Sequence, residues 1–179
     1  MKLIILLILF IGIFSCSDKN IQIEIIPGTG ITLNRDSVNI DRYSPNDLMK
    51  KLNLKDTFEL NHIDCESYDS NGNFIFGGYY FKNIIFKEIE FAFQGRTKEK
   101  LILQNIYIKT SPLISSVILS KNVLTDTSTY IMKLYPKAIR YDMPSDLSYA
   151  ESSDDGITFL MDTINNKLKK ISIHHKNSK

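Results

Sequence analysis

The 179-residue chain predicts an α+β domain, an antiparallel sheet with two short helices, and three observations carry that expectation. Apolar and polar residues alternate over several runs, the period of strands with one buried face. Two short segments, near residues 44–53 and 125–135, carry helix start and stop signals. Turn pairs stand between the runs: Asn71-Gly72, Asp155-Gly156 and Asn165-Asn166. Such pairs suit hairpins rather than parallel crossovers.

The first segment stands apart from the fold. Lys2 precedes a 12-residue apolar run, Leu3–Phe14, which stops at the polar Ser17-Asp18-Lys19-Asn20. A helix needs about 20 apolar residues to cross a bilayer, so the run reads as the core of a secretory signal. Ile13, Ser15 and Cys16 resemble the lipobox of bacterial lipoproteins, in the looser form found in Bacteroidota, with Phe14 where a smaller residue is usual. That resemblance implies a signal peptide over 1–15, a lipidated, palmitate-bearing Cys16 with a tether over 16–20, and a single domain over 21–179. Ser15 and Ser17 also suit an ordinary cleavage after Ser17. Each buried methylene of an acyl chain contributes about 0.8 kcal/mol, so lipid on Cys16 makes the membrane a partner. The expected location is the outer membrane or cell envelope, facing the periplasm or the exterior.

The elements of the domain follow in order. Ile21, Ile23 and Ile25 alternate with Gln22 and Glu24 as a half-buried strand, which Pro27-Gly28-Thr29-Gly30 ends. Ile31–Asn34 and Val38–Ile40 form two short strands around Asn34-Arg35-Asp36-Ser37. Ser44 is an N-cap followed by Pro45 and, at the third helical position, Asp47. Leu48 and Leu52 share that helix's apolar face, Lys50 and Lys51 face water, and Asn53 ends it. From Thr57 to Thr110 the pattern is an antiparallel meander. Asn71-Gly72 is its strongest turn signal, a second turn falls near Lys82-Asn83, and a strand runs from Ile84 to Phe93 with Ile85, Ile89, Phe91 and Phe93 inward. Leu101–Thr110 is apolar on both faces and so belongs in the centre of the sheet.

A second helix, capped by Thr125 or Asp126, carries Tyr130 and Leu134 and stops before Pro136. Asp155-Gly156 opens a strand, Ile157–Asp162, which Asn165-Asn166 turns into Leu168–His174. Leu48 and Leu52 then fall on Tyr130 and Leu134, and Gly72 on Gly156, so the chain reads as a duplicated helix-plus-hairpin unit with repeats over 37–110 and 116–175. This order behind a lipoprotein signal resembles the small envelope lipoproteins of the SmpA/OmlA type and the tandem-repeat β-lactamase inhibitor proteins. The resemblance implies a protein-binding module whose sheet is the contact surface.

Charge narrows the partners. The formal charge is +2, or +1 once Lys2 is removed, and only four of the 22 basic residues are Arg (Arg35, Arg42, Arg96, Arg140). Nucleic acid is therefore an unsuited partner, since phosphate recognition draws on a concentrated basic field and on Arg forks. Lipidation of Cys16 leaves Cys65 alone, read here as a buried apolar residue rather than a reactive thiol.

Candidate chemistry is sparse. Asp69, Asn71 and Asn73 have the spacing of a calcium loop, but Phe74 and Tyr80 stand where its Gly and bidentate Glu belong. His174 and His175 would point to opposite faces of a strand and read as a solvated tail. His62, Asp64, Cys65 and Glu66 contain the residue types of a nucleophile pair, but a strand places His62 and Cys65 on opposite faces. The sequence thus predicts neither catalytic residues, nor a metal site, nor a cofactor.

The hairpin Phe74–Phe93 holds eight of the 19 aromatics, counted from 9 Tyr and 10 Phe. Phe76, Tyr79, Tyr80 and Phe81 are the candidate binding residues. Because Tyr79, Tyr80 and Phe81 are consecutive, at least one ring leaves the core side, unless both faces are covered or Gly77-Gly78 forms a bulge. The expected function is a non-catalytic protein-binding module for envelope assembly, inhibition or immunity. The alternative is a hydrolase or a carbohydrate-binding lipoprotein using the aromatic hairpin.

Overall fold

A computed structural model describes residues 21–55, 60–68, 71–110, 114–119, 122–123, 128–143, 147–152 and 154–176. Cys16, the tether, Phe58, Asp69, Thr125 and Asp126 lie outside the described residues, as do the side chains of Asp64, Cys65, Glu66 and Phe76. Among the described residues no helix is long and apolar enough to cross a membrane.

The first half runs through β1 (Ile21–Ile26), β2 (Gly30–Leu33), β3 (Asp36–Asn39) and helix α1 (Pro45–Leu52). A meander follows: β4 (Asn61–Tyr68), β5 (Phe74–Phe86), β6 (Ile89–Gly95) and β7 (Ile102–Lys109). The second half runs through β8 (Ile114–Leu119), β9 (Asn122–Val123) and α2 (Ser128–Leu134). It closes with β10 (Ile139–Asp142), β11 (Leu147–Ser152), β12 (Ile157–Asp162) and β13 (Lys167–Ile173). Among the described residues the fold is mostly antiparallel sheet with two short helices, compatible with α+β but weighted toward β. Five strands form one sheet in the order β3-β2-β1-β8-β9, and eight form another in the order β10-β11-β12-β13-β7-β6-β5-β4. The two meanders thus meet at their last strands, and β7 is central as its two-sided hydropathy predicts. β1 and β8 pair in parallel.

Local rules account for much of this. Ile21, Ile23 and Ile25 are buried while Gln22 and Glu24 face water, as period-2 alternation requires. Ser44 caps α1, accepting from Asp47 N–H at 3.3 Å and donating to its carboxylate at 2.6 Å. Asn53 ends the helix in the left-handed region, φ 53°. Leu48 and Met49 are buried, and Leu52 packs against the core.

Several expectations are corrected. The tight hairpin turn with two positive φ values is Asn34-Arg35, at 47° and 85°, a geometry that matches strand twist. Asn71-Gly72 sits in a longer connection from Tyr68 to Phe74; Gly72 has a positive φ of 78° and Asn71 does not, so the pair is not the turn with two positive φ values. No turn forms at Lys82-Asn83: β5 continues to Phe86 and reverses at Lys87-Glu88, with Lys87 at φ 55°. The strand read as Ile84–Phe93 is therefore two, and Ile84 points inward while Ile85 points out. In α2 Ile131 is fully buried, Leu134 packs partly buried against the core and Tyr130 is half-buried, and just beyond the helix Tyr135 lays its ring 5.5 Å from Phe159. Gly72 lies in the first hairpin after α1, whereas Gly156 lies in the second after α2, so the two turns are not equivalent. Strands β10 and β11 had no sequence signal because β10 is exposed throughout and β11 turns Ser148, Ala150 and Ser152 inward.

The inward faces of both sheets and helix residues Leu48, Met49 and Ile131 belong to one buried cluster. The sheets meet where the β1–β2 turn crosses the β11–β12 turn. Gly28 N–H donates to the Gly156 carbonyl at 3.3 Å, and His174 N–H donates to the same oxygen at 3.0 Å. A Cβ on Gly156 would stand 2.6 Å from the Cα of Gly28, closer than atoms approach. Nearby, Asp41 N–H donates to the Leu103 carbonyl at 2.9 Å, and His175 Nε2 lies 3.0 Å from Asp41 Oδ1. His174 Nε2 is 3.1 Å from Thr158 Oγ1. The histidine pair is thus half-buried and engaged rather than a solvated tail, because backbone pairing continues past β13.

Candidate functional site: the open face of the large sheet

One face of the eight-stranded sheet covers the core and the other is open. On β5 from Tyr80 onward the even positions point inward: Ile84 is buried, and Tyr80 and Phe86 pack against the core. Tyr79, Phe81, Asn83 and Ile85 take the opposite face. Cross-strand pairing continues that face onto β6, with Phe81 opposite Gln94, Asn83 opposite Ala92, and Ile85 opposite Glu90. It continues onto β7, with Glu90 opposite Tyr107 and Ala92 opposite Asn105.

A bulge reshapes β7. Phe93 pairs with Leu103 and Ala92 with Asn105, leaving Gln104 as the extra residue. Because one added residue inverts the alternation, Leu103 and Ile106 both reach the core despite their odd spacing. For the same reason Leu103 and Tyr107 fall on opposite faces despite their even spacing, Leu103 in the core and Tyr107 on the cleft. Gln104 and Asn105, consecutive in sequence, both line the open cleft.

That cleft holds about 380 Å³. Asn83 donates an amide hydrogen to Glu90 Oε1 at 2.8 Å, and the Lys170 ammonium sits 3.9 Å from the centre of the Tyr107 ring. Partial burial, reinforced by the Glu90 charge, raises the Tyr107 phenol above its ordinary value of 10.0, so it stays a neutral donor. Apolar residues stand around the cleft: Tyr79 is 38% exposed, Ile63 51%, Ile85 50% and Ile102 41%. Tyr79 is the cross-strand neighbour of Ile63 on the edge strand β4.

Of the candidate binding residues, Tyr79 and Phe81 share the open face, with Phe81 lining the cleft. Tyr80 lies opposite, its ring 4.3 Å from that of His62 and beneath Lys98. The residues that sequence reasoning missed are the amides Asn83, Gln94, Gln104 and Asn105, together with Glu90, Tyr107 and Lys170. Their signal was compositional: Asn is depleted in strands, yet two Asn stand in the middle of this sheet. Among the described residues no group of three or more His, Cys, Asp or Glu is placed to hold a metal ion. Compared with family models, curated proteins and solved structures, the chain matches none.

Proposed function

We propose that this chain is a membrane-anchored envelope lipoprotein, held by lipid on Cys16 and working as a non-catalytic protein-binding module in envelope assembly, inhibition or immunity. The carrying observation is the exposed pair Tyr79 and Ile63 at the edge of the large sheet. Tyrosine offers a large, rigid contact area with a polar tip, which is why it recurs as an interface anchor. As an edge strand β4 also supports strand addition by a partner. The order of short helix and four-stranded meander in both halves supports a duplicated unit, although its residues do not align turn for turn.

The test is made in cells with a photo-crosslinking residue in place of Tyr79, and another in place of the exposed Thr163 as control. A discrete protein adduct at 79 and none at 163 is expected; equal labelling at both positions would remove the contact. Separately, Cys16→Ser should move the chain to the soluble fraction and abolish acyl labelling. Membrane retention with labelling intact would refute the anchor.

A further inference from the structure

Away from the edge formed by Tyr79 and Ile63, the centre of the open face is dressed in the reverse of a protein contact. Protein interfaces have an apolar centre and a polar rim; here the centre is polar and the surround is apolar. Asn83, Glu90, Gln94, Gln104 and Asn105 fill the middle, and Tyr79, Ile85 and Ile102 stand around them. A partner laid flat over this face would strand those side chains away from water without matching groups.

The amides are also placed at a cost. Asn disfavours strands, and the bulge that aims Gln104 and Asn105 into one cleft interrupts the ladder between β6 and β7. Bulges of this kind recur beside binding sites because they re-aim side chains. The two charges in the cleft are already matched to neighbours, Glu90 to the Asn83 amide and Lys170 to the Tyr107 ring. The Gln104 amide also donates to Asp41 Oδ1 at 3.4 Å, so what the cleft offers a ligand is a set of planar donors and acceptors, chiefly on Gln94 and Asn105, beside the aromatic rings of Phe81 and Tyr107, with little net charge.

We infer that this cleft is a binding site for a neutral saccharide, one or two pyranose rings of a glycan. Side-chain amides and a carboxylate offer the donors and acceptors that sugar hydroxyls take, and an aromatic ring such as Phe81 can cover the apolar C–H face of a pyranose. The volume lies in the range of small-molecule sites. With Glu90 and Lys170 both lining it, the cleft carries no net charge that would favour an ionic ligand over a neutral one. The site goes beyond the protein contact at Tyr79 and Ile63 and needs neither that contact nor the lipid.

The test uses the full chain in micelles of a detergent without a sugar headgroup. Calorimetry and saturation-transfer NMR are run with neutral tetrasaccharides of glucose, N-acetylglucosamine and mannose, with an oligogalacturonate as the acidic probe. At least one neutral tetrasaccharide should bind, with a Kd of about 0.1–5 mM for a shallow, open site. Asn83→Ala and Asn105→Ala should each weaken binding about two- to tenfold, the loss of one hydrogen bond, while Thr163→Ala, at the exposed turn between β12 and β13, leaves it unchanged. Thermal melts accompany each variant, and Gln94→Ala, at an exposed position of the same cleft, replaces Asn105→Ala if the latter melts early. Failure of all three neutral probes, preference for the acidic one, or binding that survives these amide substitutions would overturn the assignment. None of those outcomes touches the crosslinking result at Tyr79.

Discussion

Truncating three rings of the aromatic hairpin measures which face of the large sheet is covered. Phe91 is fully buried on β6, between Ile84 of β5 and Ile106 of β7. Reducing it to Ala returns roughly 120 Å² of apolar surface, about 3 kcal/mol at 25 cal/mol per Å². The cavity left behind raises the usual cost to about 3–5 kcal/mol. For a domain this size each kcal/mol moves Tm by about 2–4 °C, so Phe91→Ala should melt about 6–20 °C lower. Tyr79, on the open face, should lose no more than about 0.5 kcal/mol on truncation. Tyr80, half-buried against the core, should fall between them at about 1–2 kcal/mol. Thermal melts by circular dichroism, repeated as urea titrations with unchanged m-values, order the three. If Tyr79→Ala loses as much as Phe91→Ala, both faces are core and the open-face reading fails. If Tyr80→Ala behaves like Tyr79→Ala, the inward parity assigned to β5 is wrong.

Other consequences are as direct. Gly156→Ala should cost about 2–5 kcal/mol, combining a left-handed φ of 69° with the clash on Gly28. Gly72→Ala, at φ 78° with nothing near its Cβ, should cost only about 1–2 kcal/mol, and equal losses in urea titrations would refute the sheet junction. Ser44→Ala should lose about 1 kcal/mol through the α1 cap, and a thermal melt indistinguishable from wild type would deny the cap a role. Asp162 is held at about 2, below its ordinary 3.8, first by the backbone N–H of Asn165, then by that residue's side chain and by Lys169. A lowered carboxylate contributes its stability above about pH 4 and loses it as pH falls toward 2. Asp162→Asn should therefore trail wild type at pH 7 and converge with it between pH 4 and 2; a constant gap would deny the carboxylate this role.

Legibility varied by element. The alternation of β1, the capped helix at Ser44 and the hairpin from Ile157 to Ile173 were readable because each rests on a few adjacent residues. The Lys87-Glu88 turn was not, since it lacks the Gly or Asn that marks a positive φ. Within the site, the crowding of Tyr79, Tyr80 and Phe81 already required rings to part company across the sheet. The amide cleft stayed hidden because Asn83, Glu90, Asn105 and Lys170 come from four different strands.

What the sequence determined by itself was local: the alternation of its short strands, the start of α1 and several of the places where the chain turns. These follow from backbone sterics, capping and short-range hydropathy, which act over a few residues. Only the tertiary structure decided the pairing of β7 with β13, the bulge that inverts the faces at Gln104, and the turn-to-turn contact of Gly28 with Gly156. Each joins or rephases segments that meet only when the sheets assemble, and it is that assembly which leaves one face of the large sheet open.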